Sequence, residues 1–314
     1  AFKIKSPILS FGKIRASFAY AGSDTDPYRI NQTYKLGSIY NGSPLQTIST
    51  TLNNDQLLPE RNRSLELGAD LRFFHNRLGV DVTYYRSDAY DLITKVALPV
   101  PSGYSFKFLN TGHVRNQGWE VVLSATPVKT KLFEWNANIN WARNRSEVIK
   151  VVDGNPNVQL LKSSNVSIML EEGMPYGVIR GRAWKRDDQG NFIINEKTGL
   201  RETENNVRLG DIYPDFTMGI NNSLSYKGFN LSFLIDIRQG GSLYSGTVSS
   251  LRSLGLSAET AVGREDQYIE SGVIMNADGT SRPNDVPVKN MQDYWSHMAK
   301  TSNTEGCVFD ASYV

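Results

Sequence analysis

Two neighbouring stretches of this chain alternate apolar and polar residues, and a tight turn joins them. Residues 65–73 place Leu, Leu, Ala, Leu and Phe at every second position, and residues 78–84 do the same with Leu, Val, Val and Tyr. A side-chain period of two indicates β-strands with one apolar and one polar face. A hairpin that is tight at one end and opens into long loops at the other is typical of a sheet that crosses an outer membrane.

The same alternation predicts about ten strands along the chain. They are residues 13–21, 61–74, 78–92, 118–126, 133–148, 165–172, 176–185, 216–226, 229–238 and 309–314. Tight turns fall near residues 76, 129, 174 and 227, and long connections separate these hairpins. Long unstructured loops are uncommon in compact domains, and here every second connection is long. The pattern favours an all-β fold, an antiparallel transmembrane β-barrel with short periplasmic turns and long extracellular loops.

Composition is compatible with such a barrel and excludes several other classes. The hydrophobic content is 39% and the mean hydropathy is −0.38, and no run approaches the ~18 apolar residues of a transmembrane helix. A transmembrane strand needs only ~9–11 residues, half of them facing a polar interior. The formal charge of +2 gives no basic stripe for nucleic acid. The single Cys307 excludes an internal disulfide and a thiol metal site.

Motifs for catalysis and cofactor binding are absent from the sequence. There is no G-x-S-x-G elbow, no H-E-x-x-H and no phosphate-binding G-x-x-x-x-G-K-[ST]. His75, His113 and His297 are the only histidines, and none has a second metal ligand at a suitable spacing. Pairs of acidic residues lie in Gly- or Asn-bearing loops, where turn and solvation roles are favoured over calcium. We therefore expect neither an enzyme nor a bound cofactor.

Aromatic residues fall into two groups. The first lies near strand ends on the apolar face, where an interfacial girdle is expected, although aromatics are favoured in all strands: Tyr84, Trp119, Trp135, Trp141, Tyr226 and Phe229. The second lies in the predicted loops: Tyr28, Tyr34, Tyr40, Tyr104, Phe106, Phe108, Trp184, Tyr244, Tyr294 and Trp295. Exposed aromatic rings are typical binding anchors. The loop aromatics are thus candidate contacts with a substrate or a capping partner, and packing of the loops themselves is the alternative.

Several short motifs, in this order and spacing, resemble the SusC/RagA family of TonB-dependent outer-membrane transporters of Bacteroidetes. They are KIRASFAY at 13–20, LPERNRSLELG at 58–68, FFHNRLGVDVTYY at 73–85, NTG at 110–112 with NQGWE at 116–120, GDIYPD at 210–215, DIRQGG at 236–241 and FDASYV at 309–314. The resemblance covers nearly the whole chain. Each motif is weak alone, and their order makes the set specific.

The resemblance implies a barrel of about 22 strands that encloses a separate plug domain. It also implies import of oligosaccharides or peptides across the bacterial outer membrane, with energy from TonB and a SusD-like lipoprotein as lid. On this interpretation residues 1–314 are a partial barrel domain: the plug, the TonB-binding segment and the last strands are absent, and the chain stops within a strand at Val314.

Two alternatives remain open from the sequence. A soluble or cell-surface β-rich carbohydrate-binding or adhesion protein would cover the apolar stripes with a second protein layer. The test residues are Val80, Val82, Leu231 and Phe233, which a barrel leaves facing lipid. A β-rich glycan hydrolase would need two carboxylates ~5–10 Å apart. No acidic pair in the sequence stands out from the other loop acids.

Overall fold

The computed structural model describes residues 6, 8–152, 157–163, 165–299 and 304–314. The strands, in chain order, are β1 Leu9–Ser23, β2 Tyr34–Tyr40, β3 Ser43–Ile48, β4 Thr51–Leu52, β5 Glu60–Phe73, β6 Leu78–Ala97, β7 Phe106–Lys129, β8 Phe133–Lys150, β9 Asn157–Lys162, β10 Ser167–Glu171, β11 Val178–Trp184, β12 Thr203–Asp211, β13 Phe216–Tyr226, β14 Phe229–Gln239, β15 Ser242–Tyr244, β16 Val273–Met275, β17 Ser281–Pro283 and β18 Val308–Asp310. The helices are α1 Gly246–Ser253 and α2 Met291–Ala299.

Seven long strands form one antiparallel sheet, which we call the wall. Its order is β1-β5-β6-β7-β8-β13-β14, and the short β4 pairs in parallel with β7. The register aligns apolar residues straight across all seven strands in a row of Ile14, Ala69, Val82, Val121, Trp141, Met218 and Ile237. Because the side-chain period of a strand is two, this register puts every apolar stripe on one face and the polar residues on the other.

The wall strands confirm the predicted hairpins and extend several of them. β7 begins at Phe106, twelve residues before the predicted start at 118, and β6 continues to Ala97. The long connection predicted between the strands at 78–92 and 118–126 is therefore wrong, and residues 98–105 join β6 and β7. The reason is that 106–113 pair with 90–97 of β6, so the wall continues beyond its apolar band.

The predicted strands 165–172 and 176–185 are not wall strands. As β10 and β11 they belong to a separate four-stranded sheet of order β12-β11-β10-β9, while β8 pairs directly with β13. Val178, Ile179, Ala183 and Trp184 are all buried, so β11 buries residues of both faces, which explains why its alternation is ragged. Strands β9 and β12 were not predicted.

The tight turn predicted near residue 174 lies at the long-loop end of the wall, not at the tight-turn end. The Gly173 N–H donates to the Val148 carbonyl, and the Val148 N–H donates to the Met174 carbonyl, so this turn docks on the end of β8. The other tight turns, between β5 and β6, β7 and β8, and β13 and β14, share the opposite end. The predicted strand 309–314 is short: β18 pairs with β15, and Tyr313 bridges to Arg238 at the end of β14.

The apolar face of the wall has no second layer over it in the described part of the chain. Leu231 is 61% exposed and Phe233 is 44% exposed, and Val80 and Val82 are half-buried. The exposure of these side chains does not fit the alternative of a soluble or cell-surface β-rich protein whose apolar stripes are covered by a second protein layer. No helix among the described residues is long and apolar enough to cross a membrane.

The buried core lies at the long-loop end of the wall. There the described residues among 151–215 and 240–307 fold into a second unit, which we call the cap. One apolar cluster joins Val114 and Val148 of the wall to Val158 and Leu170 of the cap sheet. A second cluster, Val288, Met291 and Tyr294, lies around α2 within the cap. The cap is therefore anchored on the wall by buried apolar contacts.

Candidate functional site

The polar face of the wall carries charged side chains that form an ion pair across strands. Arg15 on β1 forms an ion pair with Asp81 on β6, and its guanidinium also donates to the Thr83 hydroxyl at 2.6 Å. Strand β5 lies between β1 and β6, and its residue at this level is Gly68. A Cβ atom at Gly68 would lie 2.6 Å from Arg15 Nε, so the glycine makes room for the ion pair.

Further along the same face, polar side chains form a neutral network. The Tyr85 hydroxyl donates to Asn144 Oδ1 at 3.0 Å and crosses Gly118, where a Cβ atom would lie 2.7 Å from that hydroxyl. Asn144 in turn donates to Asn116 Oδ1 at 3.3 Å. Hydroxyl and amide groups of this kind suit a wetted surface that contacts polar groups without carrying out covalent chemistry.

A recess of about 240 Å³ opens beside this network, between β7, β8, β13 and β14. Glu120, Asn140 and Asp236 contribute its polar groups. Gly219, opposite both Asn140 and Asp236 in the register, leaves the recess open because it has no side chain. The polar face thus offers carboxylate and amide acceptors to a polar molecule in the interior.

An ion pair between the half-buried Arg180 and the buried Glu171 joins strands of the cap sheet. Arg180 of β11 donates to both oxygens of Glu171 at the end of β10, and its Nη2–Oε2 distance is 2.7 Å. The Arg180 guanidinium also donates to the Asn206 carbonyl. This explains the arginine that interrupts the apolar pattern of β11: it holds three adjacent cap segments together.

A buried polar cluster lies where α2 packs on the cap sheet. Arg201 stacks over the rings of Trp184 and Phe192 and pairs with the buried Glu270 at 2.9 Å. The His297 Nε2–H donates to the Arg201 carbonyl at 2.7 Å. Burial lowers the pKa of His297, so its neutral form is favoured in the folded protein.

Tyr294, next to this cluster, is 6% exposed. Burial, together with the neighbouring Glu270 carboxylate, raises the pKa of Tyr294. The phenol is therefore a neutral structural group, packed edge-on against Tyr268 and Trp295 at ring-centroid distances of 5.0 and 5.3 Å. Its position shows why an aromatic residue that looked like a loop anchor belongs to the core of the cap.

A cavity of about 520 Å³ lies between α1 and α2. Trp295 forms one wall, and Arg264, Asn290 and Gln292 bring charged and amide groups to the lining. The Trp295 Nε1 atom is buried and has no hydrogen-bond partner in the described part of the protein. An indole face beside planar polar groups is a lining that suits a sugar ring or a peptide group.

The structure distributes the ten predicted aromatic anchors over different environments. Phe108, Trp184 and Tyr294 are buried; Tyr104, Tyr244 and Trp295 are half-buried; and Tyr28, Tyr34, Tyr40 and Phe106 are exposed. Phe108 is enclosed by Arg29 and Lys95, which lie 4.7 and 5.4 Å from its ring centroid. The Tyr244 hydroxyl accepts from Asn165 Nδ2 at 2.6 Å.

Only Trp295 among these ten aromatics lines the 520 Å³ cavity. Its polar neighbours Arg264, Asn290 and Gln292 were not predicted, because no motif or periodicity marks them in a long loop. No group of three or more His, Cys, Asp or Glu side chains able to hold a metal ion occurs among the residues the structure describes.

A wide antiparallel wall with one uncovered apolar face and one polar face defines the class: a β-barrel protein of the outer membrane. The family model described as "TonB dependent receptor-like, beta-barrel" matches residues 13–231, more than half of the chain. The chain belongs to this family of TonB-dependent receptors. The expectations of an outer-membrane location and of a receptor without enzymatic activity are thereby confirmed.

Individual proteins agree with this assignment. TonB-dependent receptor P3 of Formosa agariphila is 29% identical over 287 residues, which cover 82% of this chain and 28% of that protein. TonB-dependent receptor SusC of Bacteroides thetaiotaomicron is 23% identical over 317 residues, which cover 93% of this chain and 30% of SusC. The chain thus spans less than a third of the length of these relatives.

Solved structures show the same fold. The RagAB peptide importer in its closed-closed state superposes with a TM-score of 0.71 at 18% identity, over 98% of this chain and 34% of that one. A second structure of the RagAB peptide transporter gives a TM-score of 0.66 at 21% identity, over 79% and 28% of the two chains. The predicted fold class and the SusC/RagA resemblance are confirmed.

Proposed function

We propose that this chain forms part of the barrel wall and outer cap of a TonB-dependent importer that takes up oligosaccharides or peptides. The observation that carries the proposal is the two-sided wall: a continuous apolar band on one face and, on the other, a polar interior with the Arg15–Asp81 pair and the amide network. Such a wall separates lipid from an aqueous path.

Membership of the receptor family supports the energy source. In this proposal TonB acts on a plug that the barrel encloses, and a SusD-like lipoprotein closes the extracellular side. RagAB, which shares the fold, is described as a peptide importer. SusC shares sequence over nearly the whole chain. These likenesses support a nutrient oligomer as cargo, in either of the two chemical classes.

The cap and the segment around the β2–β3 hairpin supply the candidate contacts with cargo or lid. Trp295 is proposed to contact cargo, because it lines the 520 Å³ cavity. Tyr28, Tyr34 and Tyr40 are proposed to contact the lid, since they are the most exposed of the ten aromatics and lie on or next to the protruding β2–β3 hairpin. The buried Trp184 and Tyr294 are proposed only to shape the cap, and the buried Phe108 only to shape the wall.

Uptake by the native host strain tests the proposal. Deletion of the gene that encodes this chain is expected to abolish growth on one class of oligomer, glycan or peptide, and to leave growth on the corresponding monomers unchanged. Restoring the gene with Trp295→Ala is expected to lower uptake of that oligomer, whereas Trp135→Ala, on the lipid side of β8, serves as the matched control. Unchanged growth of the deletion strain on both oligomer classes would overturn the proposed function.

A further inference from the structure

The apolar face of the wall changes its chemistry abruptly towards the long-loop end. Tyr84 and Trp119 pair in the register and lie in ring contact, with centroids 5.0 Å apart, and the next residue in that row is Arg143. The following two rows on the same face are rich in arginine: Leu65, Arg86, Gln117 and Arg145, then Arg63, Asp88 and Arg115. We call Arg63, Arg86, Arg115, Arg143 and Arg145 the arginine belt.

Asp88 organises the centre of the belt and leaves it with excess positive charge. This carboxylate is 6% exposed, and it accepts from Arg86 Nε and from Arg115 Nε, each at 2.9 Å. His113 Nε2 lies 2.7 Å from the same carboxylate. The Nη groups of Arg86 and Arg115 make no hydrogen bond with the residues described, so one carboxylate fixes two guanidinium groups and occupies only one nitrogen of each.

The outer members of the belt are exposed. Arg143 and Arg145 form no ion pair with any described residue, and Arg63 lies over the Phe18 ring, 5.4 Å from its centroid. Beside Arg63, a groove of about 270 Å³ over β1, β5 and β6 is lined by Phe18, Arg63, Leu65, Arg86, Asp88 and Tyr90. Apolar and aromatic groups thus border the guanidinium groups on the membrane side.

The cap does not cover the belt. Val114 and Val148 carry the contact between wall and cap, and they alternate along β7 and β8 with Arg115 and Glu147. Neighbours along a strand point to opposite faces, so the cap packs on the polar face and leaves the belt free on the other. Asp88 and Glu147 are the acidic residues of these rows, and they do not balance five arginines.

We infer that the arginine belt binds the phosphate groups of an anionic lipid in the leaflet next to the long-loop end. Aromatic girdles mark the level where acyl chains meet headgroups, and the belt starts directly above the Tyr84–Trp119 pair. A guanidinium presents paired N–H donors that match the oxygens of a phosphate. The groove beside Arg63 and Arg86 would hold the upper part of an acyl chain against Phe18 and Leu65. This inference rests on the position of the wall in the membrane and not on which nutrient passes through it.

Lipid binding to the native full-length receptor in nonionic detergent tests the inference, with native mass spectrometry as the readout. Monophosphorylated lipid A is expected to bind at least about tenfold more tightly than the same lipid after dephosphorylation, because a charge-assisted contact is lost. The variant Arg63→Gln/Arg143→Gln/Arg145→Gln is expected to lose this preference. All three side chains are exposed, and heat-modifiable mobility on gels verifies that the barrel is folded.

Arg77→Gln is the matched control, since Arg77 is an exposed arginine in the tight turn at the opposite end of the wall. It is expected to bind both lipids as the unaltered protein does. Equal binding of phosphorylated and dephosphorylated lipid, or an unchanged preference in the triple variant, would overturn the inference. Full displacement of the lipid by an equal concentration of inorganic phosphate would also overturn it, because the belt would then be a site for a soluble anion.

Discussion

Arg15 and Asp81 form an ion pair across a complete intervening strand, and Gly68 of that strand is what allows it. The guanidinium of Arg15 crosses above Gly68 to reach the carboxylate and the Thr83 hydroxyl. One side chain therefore fixes three adjacent strands in register on the polar face. Because a shift by one residue would turn the apolar stripe of β1 inward, this bridge adds specificity to the edge of the wall.

Replacing Gly68 by alanine is expected to destabilise the wall at β1. The new Cβ would lie 2.6 Å from Arg15 Nε, so the guanidinium must leave Asp81. The readout is the melting temperature of the folded protein in detergent, together with hydrogen exchange of the β1 amides. Gly79→Ala is the control on the same face, since its Cβ would make only an ordinary 3.7 Å contact with Ser124. Equal melting temperatures for the two variants would contradict the role assigned to Gly68.

Gly112→Ala is expected to disrupt the bulge in β7 that precedes Val114. Gly112 has a φ of +49°, and a Cβ there would overlap the Lys150 carbonyl of β8, which is backbone and cannot rotate away. Overpacking and the left-handed conformation together predict a loss of about 2–5 kcal/mol in the free energy of unfolding. Gly103→Ala, at φ +78° with open space around it, should lose only about 1–2 kcal/mol. Urea titration in detergent measures both, and a smaller loss for Gly112→Ala would refute the packing argument.

Leu170→Ala is expected to loosen the cap from the wall. Leu170 is 2% exposed and packs in the cluster with Val114 and Val148, so truncation removes about 2–5 kcal/mol of stabilisation. Leu161→Ala, on the neighbouring strand and 58% exposed, should change stability by less than about 0.5 kcal/mol. The measurement is limited proteolysis of the cap loops alongside urea unfolding. Equal protease resistance of the two variants would show that the cluster does not anchor the cap.

Acidification is expected to weaken the packing of α2 in the cap through His297. Its pKa is lowered in the folded state, so between that pKa and the ordinary value of 6.5 the unfolded segment binds more protons than the folded one. The contribution of neutral His297 to the free energy of unfolding is therefore fully present above about pH 6.5, and it decreases as the pH drops below that value. Amide exchange in α2 at pH 7.5 and 5.5, corrected for intrinsic rates, measures this effect.

His297→Gln should remove the pH dependence between these two values, and His75→Gln, in the exposed tight turn, should retain it. Glu259, whose pKa is lowered by its hydrogen bond with Arg252, loses its contribution only below about pH 4.5, so the two residues act in different windows. The expected result is faster corrected exchange of the α2 amides at pH 5.5. Faster exchange at pH 7.5 would be the opposite pH dependence and would exclude His297 as its cause.

The wall hairpins were predictable because lipid and water impose a strict period of two on their strands. Leu231, Phe233 and Ile235 keep this period without interruption, and the register of β13 with β14 follows it. The cap strands were mistaken for wall strands because β11 buries residues on both faces, which erases the period. The strands β8 and β13 pair although the whole cap sheet lies between them in the sequence. No local sequence pattern predicts a pairing over such a sequence separation.

The candidate site was harder to predict than the fold. Aromatic composition identified Trp295, which lines the cap cavity, but it also identified Trp184 and Tyr294, which are core residues. In the sequence, an aromatic residue that lines a cavity cannot be told from one that packs in the core of the cap, because the long loops fold into a core of their own. Arg264 and Gln292 have no signature at all, since they come together only through the packing of α1 and α2.

Because β13 hydrogen-bonds directly to β8, the cap sheet is an insertion that interrupts the chain without interrupting the barrel. Lengthening, shortening or exchanging that insertion would leave the circumference of the pore untouched. The insertion that forms the cap sheet can thus vary between related chains while the membrane-embedded strands on either side of it stay the same.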